Sequence, residues 1–310
     1  MPQGDRLDWE REGLHWPHRE RSRFVTVQSL RWHVQQWPGP HPGAPLALLI
    51  HGTGASTHSW RDLAPALQRS FAVLAVDLPG HAFTDSAPGS RQAPPLSLPG
   101  MARALSELLR ALGLAPELLV GHSAGAAIAV RLCLDGLAHP RLLVGLNAAL
   151  LPWGGLAGTL FSPVAKLMAF VPLVPRLFAR RAQDPAVLDR LLEGTGSTLD
   201  ATGRALYGQL VGHPAHVAGT LGMMANWDLG TLARDLPRLR TLLDLVVGLR
   251  DHTVPPEQAQ RVQALLPPSL QARCLPLENL GHLAHEEAPE RVAALIEACF
   301  AERAPQVPPT

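Results

Sequence analysis

The stretch LLVGHSAGAAIAV, Leu118–Val130, decides the fold. Its first residues form a continuous apolar run, as the end of a buried strand does. Gly121 and Gly125 then crowd around Ser123, and small apolar residues follow at helical spacing. A nucleophile must stand clear of a sheet so that a base reaches it from one side and substrate from the other. A sharp strand–turn–helix achieves this, and only small neighbours tolerate the crowding. Gly-x-Ser-x-Gly between a strand and a helix is the pattern of a nucleophile elbow. Ser123 is therefore the candidate nucleophile, at a helix N-terminus whose N–H groups favour developing negative charge.

Working outward, FVTVQSLRWHVQQW (Phe24–Trp37) alternates and is read as two strands with a turn near Gln28–Leu30. Apolar runs at Leu46–Gly52, Phe71–Gly80, Arg141–Ala149 and Leu242–Asp251 have the same form as the one before Ser123, and Arg273–Asn279 is a weaker member. Helical patterns lie between them at Trp60–Arg69, Leu98–Leu112, Ala124–Leu134, Pro256–Leu266 and Ala288–Phe300. Strands alternating with helices give an α/β fold with a mostly parallel sheet and helices on both faces. The ligand site of such a sheet lies at the carboxyl ends of its strands. From Leu151 to Leu229 no strand pattern occurs, so that segment reads as a helical insertion at the same rim.

The chain has 310 residues, a net charge of +1, 46% hydrophobic and 17% charged residues, which suits a soluble globular protein. No global field favours nucleic acid or an acidic partner. Cys133, Cys274 and Cys299 are odd in number and far apart, which gives neither a disulfide framework nor a metal spacing. The charged start of the chain has no apolar core of a secretory signal, and no apolar run reaches the length of a membrane span. The expected location is the cytoplasm.

Three further stretches bear on Ser123. IHGTGAS (Ile50–Ser56) puts His51 and Gly52 at another strand end, where the Thr53 N–H can join that of Ala124 as an oxyanion hole. His51 itself reads as structural. VVGLRDHTVPP (Val246–Pro256) sets Asp251 just past a strand, where a carboxylate orients a histidine, although it could also cap the next helix. Asp77 is the competing acid, but it precedes the serine. LENLGHLAHEEAPERV (Leu277–Val292) places His282 after a glycine in the last loop, with His285 as the rival base. The order Ser123, Asp251, His282 is the one used by folds with this elbow. Neither His282/His285 nor His213/His216 has a carboxylate or cysteine set around it at a familiar metal-site spacing, so no metal or cofactor is expected. His15, His18, His33 and His41, in polar N-terminal sequence, are assigned no role.

With these motifs placed, the chain resembles the α/β-hydrolases from about Phe24 to Ala301. HGTGASTHSWRDLAPAL (His51–Leu67), DLPGHAFTD (Asp77–Asp85), GHSAG, GLRDHTVP (Gly248–Pro255) and GHLAHEEAPERV (Gly281–Val292) match the family's blocks in order. The resemblance implies Ser123 as nucleophile, Asp251 as acid, His282 as base, and Thr53 and Ala124 N–H groups as the oxyanion hole. The block GHAFTD departs from the family's GHGxSD at Ala82 and Phe83, which narrows that turn. DWEREGLHWPHRERSRFV (Asp8–Val25), HGTGASTHSW, DLPGHAFTDS and NAALLPWGG (Asn147–Gly155) further resemble the BchO group, accessory proteins linked to magnesium chelatase in bacteriochlorophyll biosynthesis. That resemblance implies a photosynthetic bacterium and a tetrapyrrole context, makes a tetrapyrrole the candidate ligand and chelatase subunits the candidate partners, and leaves the chemical step open.

The expected layout is a polar extension over 1–23, a hydrolase core over 24–150 and 230–302, a helical cap over 151–229 and a tail over 303–310. In the cap, Phe170, Met223, Met224 and Trp227 offer soft apolar surface to a large substrate, or else form the cap's own core. Apolar residues beside Arg176, Arg180 and Arg181 also suit peripheral membrane contact. Three functions fit: a serine hydrolase acting on a large apolar ester, a binding or delivery module for a tetrapyrrole, and an acyltransferase of the same fold.

Overall fold

The computed structural model of the protein describes residues 5–152, 171 and 173–303. Its centre is a nine-stranded sheet. The strands are β1 (Ser22–Val27), β2 (Leu30–Trp37), β3 (Leu46–Ile50), β4 (Ala72–Val76), β5 (Asp85–Ser86), β6 (Leu118–His122), β7 (Leu142–Leu146), β8 (Leu242–Gly248) and β9 (Arg273–Leu277). They are ordered β1-β2-β4-β3-β6-β7-β8-β9, with β5 on the side of β2. β1 and β2 form an antiparallel hairpin, β2 runs antiparallel to β4, and every pair from β4 to β9 is parallel. β3, β6 and β7 are almost wholly buried, as continuous Leu, Val and Ile runs require.

Helices cover both faces. α1 (Leu63–Leu67) and the C-terminal helix Pro289–Glu302 pack on one face, with Trp60, Phe71 and Phe300 in that core. α2 (Leu98–Leu112) and α3 (Ala124–Leu134) pack on the other, where Leu48, Ile50, Leu119 and Leu143 meet Met101, Leu105 and Ile128. Ser97 caps α2 by accepting from the Gly100 N–H, and Gly113 ends it in the left-handed conformation.

Between β7 and β8 the described part of the insertion is helical. It comprises α4 (Leu173–Arg181), α5 (Pro185–Glu193), α6 (Ala201–Val211), α7 (Pro214–Ala225) and α8 (Leu229–Asp235). Asp184, Asp200 and Asp228 accept from N–H groups at the starts of α5, α6 and α8. Leu229, Leu232 and Leu236 join the main core, and Arg131 of α3 reaches Asp235 at 2.7 Å, so α8 belongs with the sheet layers. α9 (Glu257–Leu265) follows β8, and α10 denotes the C-terminal helix Pro289–Glu302. Phe170 lies outside the described residues.

The N-terminal segment packs more closely than its polar composition suggests. Trp9, Phe24, His33 and Phe83 pack edge-to-face or tilted with ring centroids about 5 Å apart, and Trp16 buries against Phe83 and, on the insertion, Leu206 and Leu210. His33 corrects the sequence reading: it is on β2, fully buried, and its Nδ1 donates to Asp77 Oδ2 at 2.7 Å. His18 also has a structural place, with Nε2 2.7 Å from the Arg61 carbonyl.

The elbow depends on close approach. A Cβ on Gly125 would lie 2.0 Å from the Ile50 carbonyl oxygen, and one on Gly121 2.5 Å from the Ala126 backbone. α3 can therefore start directly against the ends of β3 and β6 only with glycine at both positions. Gly125→Ala is expected to cost about 3 kcal/mol or more, because backbone must move to admit the methyl group. Urea unfolding of the variant measures this, and an unchanged midpoint would contradict the contact.

Candidate active site

Ser123 sits at φ 51° and ψ −116°, a positive φ that non-glycine residues rarely adopt. The turn is held from both sides. The Ser123 N–H donates to the Leu146 carbonyl at 2.9 Å, and the Ser123 carbonyl accepts from Ala126 and Ala149 N–H groups. Strain at this one residue is thus held by the strand end of β7 and the first turn of α3.

Asp251 lies just beyond β8 and is buried. Its Oδ1 accepts from the Thr253 and Val254 N–H groups at 2.7 and 2.8 Å. Its Oδ2 accepts from His282 Nδ1 and from Asn147 Nδ2, each at 2.7 Å. Four donors on one carboxylate fix its orientation. With Nδ1–H committed to Asp251, neutral His282 presents a bare Nε2 as proton acceptor. The alternative placement of Asp251, as cap of the following helix, does not occur, because Pro256 occupies that position.

Asp77, the competing acid, is occupied elsewhere. It accepts from His33 Nδ1, the Thr57 N–H and the Phe83 N–H. Burial pushes its carboxyl up, but His33, His51 and the Thr57 N–H outweigh this and hold it at about 2. His285, the rival base, is buried against Trp60 and His122, with ring centroids 4.6 and 4.5 Å away, and burial with His282 and Arg61 nearby pushes it down to about 3. His51 holds the loop after β3: its Nε2 accepts from the Leu78 N–H at 2.9 Å, and its Nδ1 donates to the Gly52 carbonyl at 2.7 Å.

A cavity of about 540 Å³ opens at the carboxyl edge of the sheet. Ser123, His282, Thr53 and Ala124 all line it, with Tyr207, Met224, Trp227 and Leu229 among its walls. Neither the Thr53 nor the Ala124 N–H donates to a backbone acceptor outside regular elements among the described residues. His285 and Asp77 are not in the lining. Met224 and Trp227 are; Met223 is not. Met223 is fully buried in the main core, its Sδ 3.8 Å from Thr53 Oγ1, because it lies on the face of α7 turned toward the core.

Two positions at this rim lie inside quoted blocks but are given no role by the sequence reading. Asn147, at φ 47° after β7, aims its amide at Asp251. His122 donates from Nε2 to the His282 carbonyl at 2.9 Å, which ties the elbow to the last loop. A polar residue directly after a buried strand is the signal that could have found Asn147. His122 is legible only in three dimensions. The departure at Ala82 and Phe83 also resolves: Ala82, at φ 42°, donates its N–H to His216 Nδ1 at 3.0 Å, and Phe83 packs away from the cavity into the N-terminal aromatic cluster.

Residues 47–295 match the model of the alpha/beta hydrolase family. The chain belongs to that family. The chain is also similar to the magnesium-chelatase 30 kDa subunit of Rhodobacter capsulatus, 38% identical over 91% of this chain and 95% of that protein. In fold it is similar to a putative lipase from Acinetobacter baumannii, with a TM-score of 0.73 at 19% identity and 91% of each chain covered. A thermophilic esterase from Thermogutta terrifontis gives a TM-score of 0.69 at 20% identity, over 91% of this chain and all of that one.

The buried histidines make stability depend on pH. His51, His58, His81, His122, His216 and His285 are all pushed down from 6.5, chiefly by burial. Each is neutral when folded and takes up a proton on unfolding below about 6.5. Their contribution is complete above that pH and is lost as pH falls, levelling off at the folded value, about 4 for His216. For His216 alone the full loss is about 3 kcal/mol. Glu286, raised to about 8 mainly by burial, works in the opposite direction between 4.5 and 8, one group against six. Urea midpoints should therefore fall steeply from pH 7 to pH 5; a flat profile there would contradict the neutral assignments.

Proposed function

We propose that the protein is a serine hydrolase acting on an ester of a large apolar acid or alcohol, in an accessory role to magnesium chelatase in bacteriochlorophyll biosynthesis. The observation that carries the catalytic part is that His282, hydrogen-bonded to the buried Asp251, lines the same cavity as Ser123, Thr53 and Ala124. In this reading Ser123 Oγ attacks the ester carbonyl while His282 Nε2 takes its proton. The developing oxyanion accepts from the Thr53 and Ala124 N–H groups, and Asp251 stabilises the imidazolium. Collapse expels the alcohol, which receives the proton from His282. Water, deprotonated by His282, then attacks the acyl-serine and releases the acid and free Ser123. An alcohol acceptor in place of water makes the same intermediate an acyltransferase.

The accessory part is supported by the similarity to the magnesium-chelatase subunit over nearly the full length of both chains. The insertion over 151–229 serves as the cap, with Met224 and Trp227 facing ligand. A tetrapyrrole is the ligand this similarity recommends, and the cavity's mainly apolar walls suit its planar ring. The same observations favour a second reading, in which the protein holds and delivers a tetrapyrrole to chelatase subunits without turnover. The protein then works in the cytoplasm. Contact with a membrane surface falls to Leu173 and Leu177, which are exposed beside Arg180 and Arg181. No helix among the described residues is long and apolar enough to cross a membrane.

A fluorophosphonate should label wild type and not Ser123→Ala, and hydrolysis of p-nitrophenyl acetate should vanish with the same change. Asp251→Asn should lower the rate by about 10⁴, the scale of a mis-set histidine tautomer. His282→Ala should abolish activity, whereas His285→Ala should mainly alter stability; the reverse pattern would exchange their assignments. Binding of magnesium protoporphyrin should quench Trp227 fluorescence and weaken in Met224→Asp. Porphyrin binding no tighter than that of an unrelated apolar ester would remove the tetrapyrrole and leave the hydrolase. In a strain lacking the protein, rescue by Ser123→Ala as well as by wild type would favour delivery over catalysis.

A further inference from the structure

The middle of the insertion does not stand over the site as a detached flap. Between α5 and α6 the chain makes a tight turn, Gly194–Leu199, that reaches both loops carrying the proposed acid and base. The Thr195 carbonyl accepts from the His282 N–H at 3.1 Å and from the His252 N–H at 3.3 Å. Ser197 Oγ accepts from the Leu283 N–H at 2.8 Å, and Ser197 is itself buried. Glu287 closes the arrangement, accepting from the Gly281 N–H at 2.8 Å and from the Thr198 N–H at 3.1 Å.

The approach is as close as backbone permits. Gly196 has φ +76°, and a Cβ on it would lie 1.9 Å from the Arg250 carbonyl oxygen. A Cβ on Gly281 would lie 2.4 Å from the Gly196 carbonyl group. The turn also holds its own shape: Thr195 Oγ1 donates to the Leu192 carbonyl at 2.5 Å and accepts from the Ser197 N–H at 3.2 Å. N–H groups on both sides of Asp251–His282 thus end on one rigid turn from the insertion.

We propose that the turn Thr195–Ser197 positions His282, with Ser197 as a positioning residue for the base. The inference rests on the reading of Ser123 and His282 as nucleophile and base. Two adjacent N–H groups, those of His282 and Leu283, are buried in a loop that lacks regular structure. They are satisfied by the insertion, not by the sheet. Removing Ser197 Oγ leaves the Leu283 N–H without a partner, and the loop must shift to find one. A shift of about an ångström in a catalytic group costs about 10²-fold in rate. On this account the insertion contributes to rate as well as to ligand selection.

The test is Ser197→Ala, with Ser197→Thr as the variant that keeps the oxygen. In protein labelled with ¹⁵N-histidine, the His282 Nδ1–H proton is followed by NMR and assigned by its loss in His282→Gln. Ser197→Ala should broaden or shift that proton and lower kcat for p-nitrophenyl acetate toward 10²-fold, with KM nearly unchanged; Ser197→Thr should restore both. An unchanged proton signal, or a loss carried by KM alone, would overturn the proposal. A displaced proton signal in a protein whose wild type neither turns over esters nor reacts with a fluorophosphonate would uphold the positioning and sink the hydrolase reading instead.

Discussion

One buried carboxylate ties the functional rim together. Asp251 receives hydrogen bonds from Asn147 after β7, from Thr253 and Val254 after β8, and from His282 in the loop after β9. Three neighbouring strand ends are thereby fixed to one group. A buried polar group is costly unless its hydrogen bonds are made, so each donor is held in place by the penalty of losing it. The parallel register from β6 to β9 brings these ends to one edge, and the carboxylate sets the distances between them.

The elbow adds a steric constraint to this electrostatic one. Gly121 and Gly125 let α3 begin against β3 and β6, and Ser123 is left in a backbone conformation that its neighbours enforce. The same approach brings the start of α3 beside the Thr53 loop, so two N–H groups face one cavity. His51 fixes that loop by bonding across to Leu78, and His216 of α7 donates from Nε2 to the Gly54 carbonyl at 3.0 Å while accepting from Ala82. Neutral imidazoles serve well here, because each offers one donor and one acceptor at a burial that would penalise a charge.

The insertion is joined to the core at several levels. Arg61 bridges Asp200 before α6 and Glu286 beside the last loop, and Tyr207 of α6 donates to Glu286 at 2.8 Å. Gly219 on α7 meets Gly80 so closely that a Cβ would lie 1.8 Å from the carbonyl oxygen. α6 also receives the N-terminal segment, through Gln209 and the carbonyl of Glu12 at 2.8 Å. These contacts join chain that precedes the first strand, chain inserted after the seventh and chain preceding the last helix, and Tyr207 among them also lines the cavity.

The sequence by itself determined the sheet, the order of its strands and helices, and the candidates Ser123, Asp251 and His282. Apolar runs, helical periodicity and glycine spacing are local signals, and a parallel sheet brings such strand ends to one rim by its own geometry. α2 and α3 begin and end where periodicity and flanking residues put them, at Leu98–Leu112 and Ala124–Leu134. What only the tertiary structure decided are pairings between distant segments: Asn147 with Asp251, His122 with the His282 carbonyl, His33 with Asp77, and Ser197 with Leu283. The same holds for Met223 and Met224, adjacent in sequence and identical in chemistry, of which one is buried in the core and the other lines the cavity. Composition cannot separate them, because a helix turns about 100° per residue and its surroundings alone determine which side faces ligand.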